Sequence, residues 1–394
     1  GSTDAHRAYE RDSGLRSGMD PAKVLVPDHL PDDPVVRRDI LDYYFEVQRF
    51  DSLVGDALAV LENAGELDDT LVVVTSDNGM PFPRAKATLY DFGTRMPLAI
   101  RWPKKIRSPG RAYDGFVHLS DMAPTFLEAA GLQPPDAMTA RSLVDIFAGD
   151  NTVLQDAAFT AMERHDGCRK GGKGYPCRAI RTRDFLYIRN YKPDRWPSGD
   201  PDAANCARAI PFGEVDSSPT KSLLMDKAAK PAVQRFHELA FGRRPAEELY
   251  DLRSDPGQIE NVASLSDYAE TKRKLGNRLD RYTQETGDPR ALGEEAPWDF
   301  YPYYGMRRNQ DWTVASRELA ERPRKSVDGV WRPQPSSLEK GPLAERVDVW
   351  RQKRLWHMLD AEDDYLLSGF ETRPGRHPWQ GEHVGKWLHA ATLA

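Results

Sequence analysis

Cysteine is scarce: Cys168, Cys177 and Cys206 are the only three in 394 residues. Three is too few, and an odd number, for a disulfide scaffold. Cys168 and Cys177 are near enough in sequence to pair across a short loop. No apolar run approaches the roughly 18 residues that a membrane-spanning helix needs. A basic excess is also missing, since 55 Lys and Arg stand against 61 Asp and Glu for a net charge of −6. That balance excludes a generic nucleic-acid binder, whose footprint is strongly basic. No internal repeat is visible, and the composition is neither fibrous nor that of a wholly disordered chain. What is present is 39% hydrophobic and 10% aromatic residues. A chain of this size is long enough to bury a sizeable core in about two or three domains.

Residues 34–64 carry apolar side chains at Val36, Ile40, Tyr44, Val47, Phe50, Val54, Leu58 and Leu61. This spacing of three and four predicts one long helix with a buried stripe, opened by Pro34 and closed by Gly65. The β-branched run Leu71–Thr75 predicts a short strand buried on both faces of a parallel sheet. A second strand is expected at Leu98–Arg101 and a helix from Ser120 to Ala130, ended by Gly131. Helix, strand, loop, strand, helix is the order of an open α/β sheet. Past residue 135 the pattern changes to antiparallel strands at Ala157–Met162, Arg178–Thr182, Phe185–Tyr191 and Glu247–Leu252, with a helix over Leu265–Gln284. Residues 193–230 read as polar loop. The expected division is therefore residues 1–135, 136–287, and an irregular extension over 288–394. Seven of nine tryptophans fall in that extension. Its only helical pattern is Leu343–Leu359. There Trp298, Tyr301, Tyr303 and Tyr304 suit either stacking on sugar rings or packing as a strap.

In α/β sheets, function gathers at the carboxyl ends of strands. Thr75-Ser76-Asp77-Asn78-Gly79 lies at such an end. A carboxylate beside an amide carbonyl offers two hard oxygen donors, suited to Ca²⁺, or alternatively Mg²⁺. The same residues also make an ordinary turn. Between Glu163 and Arg195 the chain holds ten Lys and Arg against four acids. Such a run is either a cationic rim that concentrates an anionic substrate or a solvated face.

The wider string adds weight to the metal reading of Asp77 and Asn78. Leu71–Pro103 resembles the second signature block of the sulfatase family: a strand ending in Ser-Asp-Asn-Gly, a basic residue, a Tyr-Asp-Phe-Gly turn and an Arg-Met-Pro-Leu strand. Its Asp-Asn-Gly-Met-Pro-Phe-Pro form is most similar to the heparan N-sulfatase, or sulfamidase, branch. Three more blocks resemble the family in order: Thr3–Tyr9, His118–Leu132 and Glu247–Ala263. The resemblance implies an α/β chain with part of an alkaline-phosphatase-like core, a smaller α+β subdomain with an antiparallel sheet, and an aromatic-rich tail. It implies hydrolysis of a sulfate ester or sulfamate on a sulfated carbohydrate of glycosaminoglycan type. Asp77 and Asn78 stand at the Ca²⁺ ligand positions. Lys86 stands where the family places a basic residue that stabilises charge on the leaving group. His6 matches the histidine that contacts the sulfate or protonates the leaving group, although Ala5 replaces the usual proline. Arg164 and His165 occupy substrate-binding places near the sugar pocket. Arg95 and Asp121 are expected to brace loops as a buried arginine–carboxylate pair, with His118 structural as well. A periplasmic, secreted or lysosomal location follows from the family alone.

One part of the family pattern is missing. The family nucleophile is a formylglycine made from Cys or Ser in a Cys/Ser-x-Pro/Ala-x-Arg motif, and it precedes the metal block. Nothing of that kind precedes Asp77. Cys177-Arg178-Ala179-Ile180-Arg181 matches the motif formally but follows the metal block and is predicted to be strand, so it is a decoy. The chain is therefore expected to be the C-terminal portion of a sulfatase. The nucleophile would come from an N-terminal half, either a separate chain or otherwise missing. A homodimer is a further expectation. A phosphoester or phosphonate hydrolase of the same superfamily and a non-catalytic glycan-binding subunit stand as alternatives.

Overall fold

The computed structural model describes residues 10–149, 155–206, 209–226 and 228–291, all within one compact unit of residues 1–299. The segments carrying His6 and the aromatic tail, including the Leu343–Leu359 pattern, lie outside the described residues. Among the described residues no helix is long and apolar enough to cross a membrane.

Helix α1 spans Pro34–Asn63. Asp33 caps it by accepting from the Val35 amide at 2.8 Å, with Pro34 in the first turn. Gly65, at φ 70°, closes it. The expected buried stripe holds only over the first turns. Val36, Ile40 and Leu41 are fully enclosed, whereas Phe50, Val54, Leu58 and Leu61 are half-buried and Val47 is exposed. The reason is the extent of the cover. The core cluster over α1, which includes Phe82, Phe212, Leu224 and Phe241, reaches only its N-terminal part.

Strands β1 (Val72–Thr75) and β2 (Leu98–Arg101) form a two-stranded antiparallel ribbon, Val72 opposite Arg101 and Thr75 opposite Leu98. This corrects the parallel, doubly covered strand expected at 71–75. Among the described residues β1 pairs with β2 alone, and each of its residues is only half-buried. Val73, Leu98 and Ile100 rest on a cluster of Trp102, Met122, Ile146 and Phe147. Helix α2 (Met122–Ala129) follows, ended by Gly131 at φ 78°.

The second sheet is a four-stranded antiparallel array ordered β3 (Ala157–Met162), β4 (Cys177–Thr182), β5 (Phe185–Asn190), β6 (Glu247–Asp251). Two helices, α3 (Pro219–Asp226) and α4 (Pro231–Phe241), fill the connection between β5 and β6. α3 begins inside the stretch expected to be loop. Buried Asp39 of α1 fixes it by accepting from the Thr220 amide at 3.0 Å.

Alternation of side chains in a strand gives this sheet two buried faces. Ile180, Tyr187 and Leu249 point to Leu275 and Leu279 of α5 (Ala269–Glu285). Cys177, Ala179, Leu186, Ile188 and Tyr250 point the other way, onto Leu89 and Tyr90. The segment 81–90 is thus wedged between two cores, giving Phe82 and Ala85 to the α1 cluster and Leu89 and Tyr90 to the sheet.

Candidate active site

That wedged segment carries Lys86. Arg84 and Ala87 flank it with left-handed backbones, both at φ 61°. Each costs roughly 1–3 kcal/mol. Burial of Phe82, Leu89 and Tyr90, at roughly 1.5–3 kcal/mol per large apolar side chain, outweighs that. Polar contacts then fix the loop. Arg84 is 3% exposed. It stacks on Tyr90 at 3.7 Å and donates to Tyr250 Oη at 3.2 Å and to the Gln258 carbonyl at 2.5 Å. Tyr90 and Tyr250 both donate to Glu248 Oε2 at 2.7 Å. His29 packs edge-on against Phe92 at 4.8 Å beneath the same loop. Burial, with the Arg84 charge adding to it, pulls His29 down to about 3, so it is neutral. Two glycines permit the approach of Asp91–Thr94, since a Cβ on Gly79 would collide with the Phe92 carbonyl and one on Gly93 would lie 2.5 Å from the Ala85 and Thr88 carbonyls. The Lys86 amide closes the loop on the Met80 carbonyl at 3.1 Å, two residues beyond Asn78.

The Lys86 side chain is buried, and its Nζ donates to Asp216 Oδ2 at 3.0 Å. Two residues earlier on the same turn, Glu214 accepts from Arg169 Nη1 at 2.7 Å and meets His165 Nδ1 at 2.8 Å. Burial alone would raise the Glu214 carboxyl, but Arg169 and His165 outweigh it and hold the group at about 2. The Glu214 contact in turn raises His165 above its usual value, against burial and the nearby Lys86 charge. His165 keeps 37% of its side chain open to solvent. With Nδ1 committed to Glu214, its Nε2 edge is the one free to meet a ligand. The structure therefore brings Lys86 and His165 together through one turn.

Arg164 is half-buried, donating to the Gly172 carbonyl at 3.0 Å. Asp77 is exposed and Asn78 half-buried on the turn after β1. Asn78 Nδ2 donates to the Gly79 carbonyl at 2.9 Å, which orients the amide and leaves its oxygen as a donor. A cleft of about 1760 Å³ beside the ribbon is lined by Asp77, Arg181 and Arg183 among others, and its lining does not include Lys86 or His165. A carboxylate and an amide oxygen suit part of a Ca²⁺ shell, which takes about six to eight oxygens. Among the described residues no group of three or more His, Cys, Asp or Glu completes it.

Four of the ten cations in the run are engaged in internal ion pairs. Arg169 is bound to Glu214, Arg178 to Glu163 and Asp288, Arg181 to Asp91, and Arg189 to Asp280. The acids that pair with these four are mostly remote in sequence and lower the local excess. The expected Arg95–Asp121 pair does not form. Arg95 is exposed, and Asp121 accepts instead from the His118 and Arg141 amides at 2.8 and 3.1 Å and from Gln155 at 3.2 Å. Cys177 is enclosed in β4, and burial pushes its thiol up. All three cysteines are free and buried, so the Cys168–Cys177 pair does not form.

The sulfatase family model matches residues 5–132, and the model for the C-terminal part of N-sulphoglucosamine sulphohydrolase matches residues 84–202. The chain belongs to the sulfatase family. It is 30% identical to human N-sulphoglucosamine sulphohydrolase over 282 residues, covering 68% of this chain and 52% of that protein. It is 28% identical to an ulvan-active sulfatase of Formosa agariphila over 277 residues, covering 69% of this chain and 42% of that one. The sulfatase chain thus spans about half the length of these curated relatives. A crystal structure of a candidate sulfatase from Bacteroides fragilis shares the fold with a TM-score of 0.50 at 17% identity, over 75% of this chain and 54% of that one.

Proposed function

We propose that this chain is the substrate-side portion of a carbohydrate sulfatase that hydrolyses sulfate esters or sulfamates on glycosaminoglycan-like sugars. The observation that supports this most is the position of the sulphohydrolase C-terminal match, residues 84–202, which contains Lys86, Arg164 and His165. In this reading residues 1–135 furnish the metal-side loops and residues 136–287 the sugar-side groups.

Lys86 faces the bridging atom and stabilises negative charge as the leaving group departs. His165, oriented by Glu214, presents Nε2–H to the anionic sugar, and Arg164 adds a second donor. By the family resemblance, His6 takes the role of the histidine that contacts the sulfate or protonates the leaving group. Asp77 and Asn78 hold part of the metal site. When bound, Ca²⁺ polarises the sulfate oxygens. In this reading the formylglycine nucleophile and the remaining metal ligands come from an N-terminal half. A periplasmic, secreted or lysosomal setting goes with this substrate class.

The test is turnover by the full protein of N-sulfoglucosamine, an O-sulfated glucosamine and an aryl phosphate. Sulfate release from either sugar is expected. Turnover of the phosphate with both sugars inert would replace this reading by a phosphoester hydrolase. Sugar binding without turnover would replace it by a glycan-binding subunit.

A further inference from the structure

We infer that the buried turn Phe212–Asp216 is the positioning element of the site, with Glu214 setting the His165 imidazole and Asp216 setting the Lys86 ammonium against an anionic sugar. The inference rests on the sulfated-sugar reading above.

The turn is held from every side. Lys221, 3% exposed, donates from beneath to the Phe212 carbonyl at 2.9 Å and the Val215 carbonyl at 2.8 Å. Phe212 has a left-handed backbone, φ 49°, and its ring stacks on Phe241 at 4.5 Å. The Phe212 amide donates to the Asp200 carbonyl at 2.9 Å, and the Glu214 amide to the Ser198 carbonyl at 3.1 Å. Arg169, which fills the other oxygen of Glu214, is itself tied to the Trp196 and Pro197 carbonyls at 2.6 Å. A strained backbone this tightly over-determined is a common device for fixing functional groups. Its two carboxylates are two residues apart in sequence. Each receives one basic side chain from a distant segment: Lys86 lies 130 residues before Asp216 and His165 lies 49 before Glu214. Each carboxylate occupies one donor of its partner and leaves the others for a ligand. One rigid turn thereby sets the spacing of the two basic side chains.

The test compares wild type, Glu214→Gln, Asp216→Asn, His165→Gln and the Glu214→Gln/His165→Gln double variant of the full protein, with N-sulfoglucosamine as the probe. Glu214→Gln should raise KM about tenfold or more, the scale on which partners behind a functional imidazole act. In the His165→Gln background it should add nothing further, because it works through that ring. Asp216→Asn should act on kcat rather than KM. Ring-nitrogen NMR shifts of His165 should lose their hydrogen-bonded Nδ1 signature in Glu214→Gln. A full KM penalty for Glu214→Gln in the His165→Gln background would overturn the inference, as would unchanged kcat in Asp216→Asn. Should Glu214→Gln fail to fold with Arg169 left unpaired, Asp216→Asn decides alone. A wild-type protein that binds no sulfated sugar overturns the functional reading and this inference with it. That failure is told apart by a His165 signature that still responds to Glu214→Gln.

Discussion

The two sheets of this molecule differ in how they are covered. The four-stranded sheet is buried on both faces, by α5 on one and by Leu89 and Tyr90 on the other. The two-stranded ribbon has strands that are half-buried throughout or nearly so. The proposed site divides along the same line. Lys86 and His165 are anchored to the doubly covered sheet and its buried turn, while Asp77 and Asn78 ride at the end of the ribbon. The sugar-side groups are therefore set by this chain's own packing, and the oxygen donors are set more loosely.

This contrast is open to direct challenge. The largest effect is expected from Leu279→Ala, at a site 1% exposed, which should lose roughly 2–5 kcal/mol through lost transfer energy and a residual cavity. Val74→Ala in the ribbon should lose about 1 kcal/mol. Equal losses in urea unfolding would erase the distinction between the sheets. Next comes Arg84→Met, which leaves the Gln258 carbonyl without its donor and the Glu248–Tyr90–Tyr250 cluster without its cation. It should cost roughly 1–3 kcal/mol and lower kcat by loosening the Lys86 loop. A stable variant with unchanged kcat would show that Arg84 does not hold that loop.

The pH dependence follows from the His165–Glu214 pair, which faces Lys86 and Asp166 as well. His165 is raised above its ordinary value, so its contribution is fully present below that value and lost as pH rises through the raised one. Glu214 is held down at about 2, so its contribution is present above the ordinary carboxylate value and lost only as pH falls toward about 2. Sulfated-sugar affinity should be flat in mild acid and fall as pH rises beyond the histidine's ordinary value. Affinity rising across neutral pH in a titration of sugar binding would contradict the assignment. The smallest effect on stability is expected from Asp77→Ala, within about 0.5 kcal/mol because the residue is exposed. Calcium binding by the full protein, read by calorimetry, should nevertheless be lost. Retained binding would remove Asp77 from the metal site.

Much of the fold was legible because local patterns and tertiary structure agree. The β-branched run at 72–75, the alternation in 177–190 and the proline and glycine around 34–65 each specify an element without help from remote residues. Other features were hidden for physical reasons. The burial of α1 depends on what covers it, and the stripe alone cannot report where the cover stops. Helices α3 and α4 lie in or next to a stretch whose polarity reads as loop. Buried Lys221 and Thr220 face inward there and would pass for surface residues. The site shows the same division. Lys86, Arg164 and His165 stood out by position in a motif, whereas Arg84, Glu214 and Asp216 carry no local signal. Their side-chain hydrogen-bond partners lie 45 to 174 residues away, so only the folded chain identifies them. Charge counting along 163–195 overstates the excess for that reason, since Asp91, Asp280 and Asp288 offset part of it from outside the window.

The account stands or falls on whether Lys86 serves the cleavage of a sulfo group. The direct measurement is kcat/KM of the full protein for N-sulfoglucosamine, wild type against Lys86→Ala, with unfolding followed in parallel. The expected result is turnover by wild type and a loss of about 10²–10³-fold in the variant, the scale for removing one preorganised electrostatic group, together with a loss of a few kcal/mol in stability from leaving Asp216 unpaired. A folded Lys86→Ala protein that still releases sulfate at the wild-type rate would contradict it.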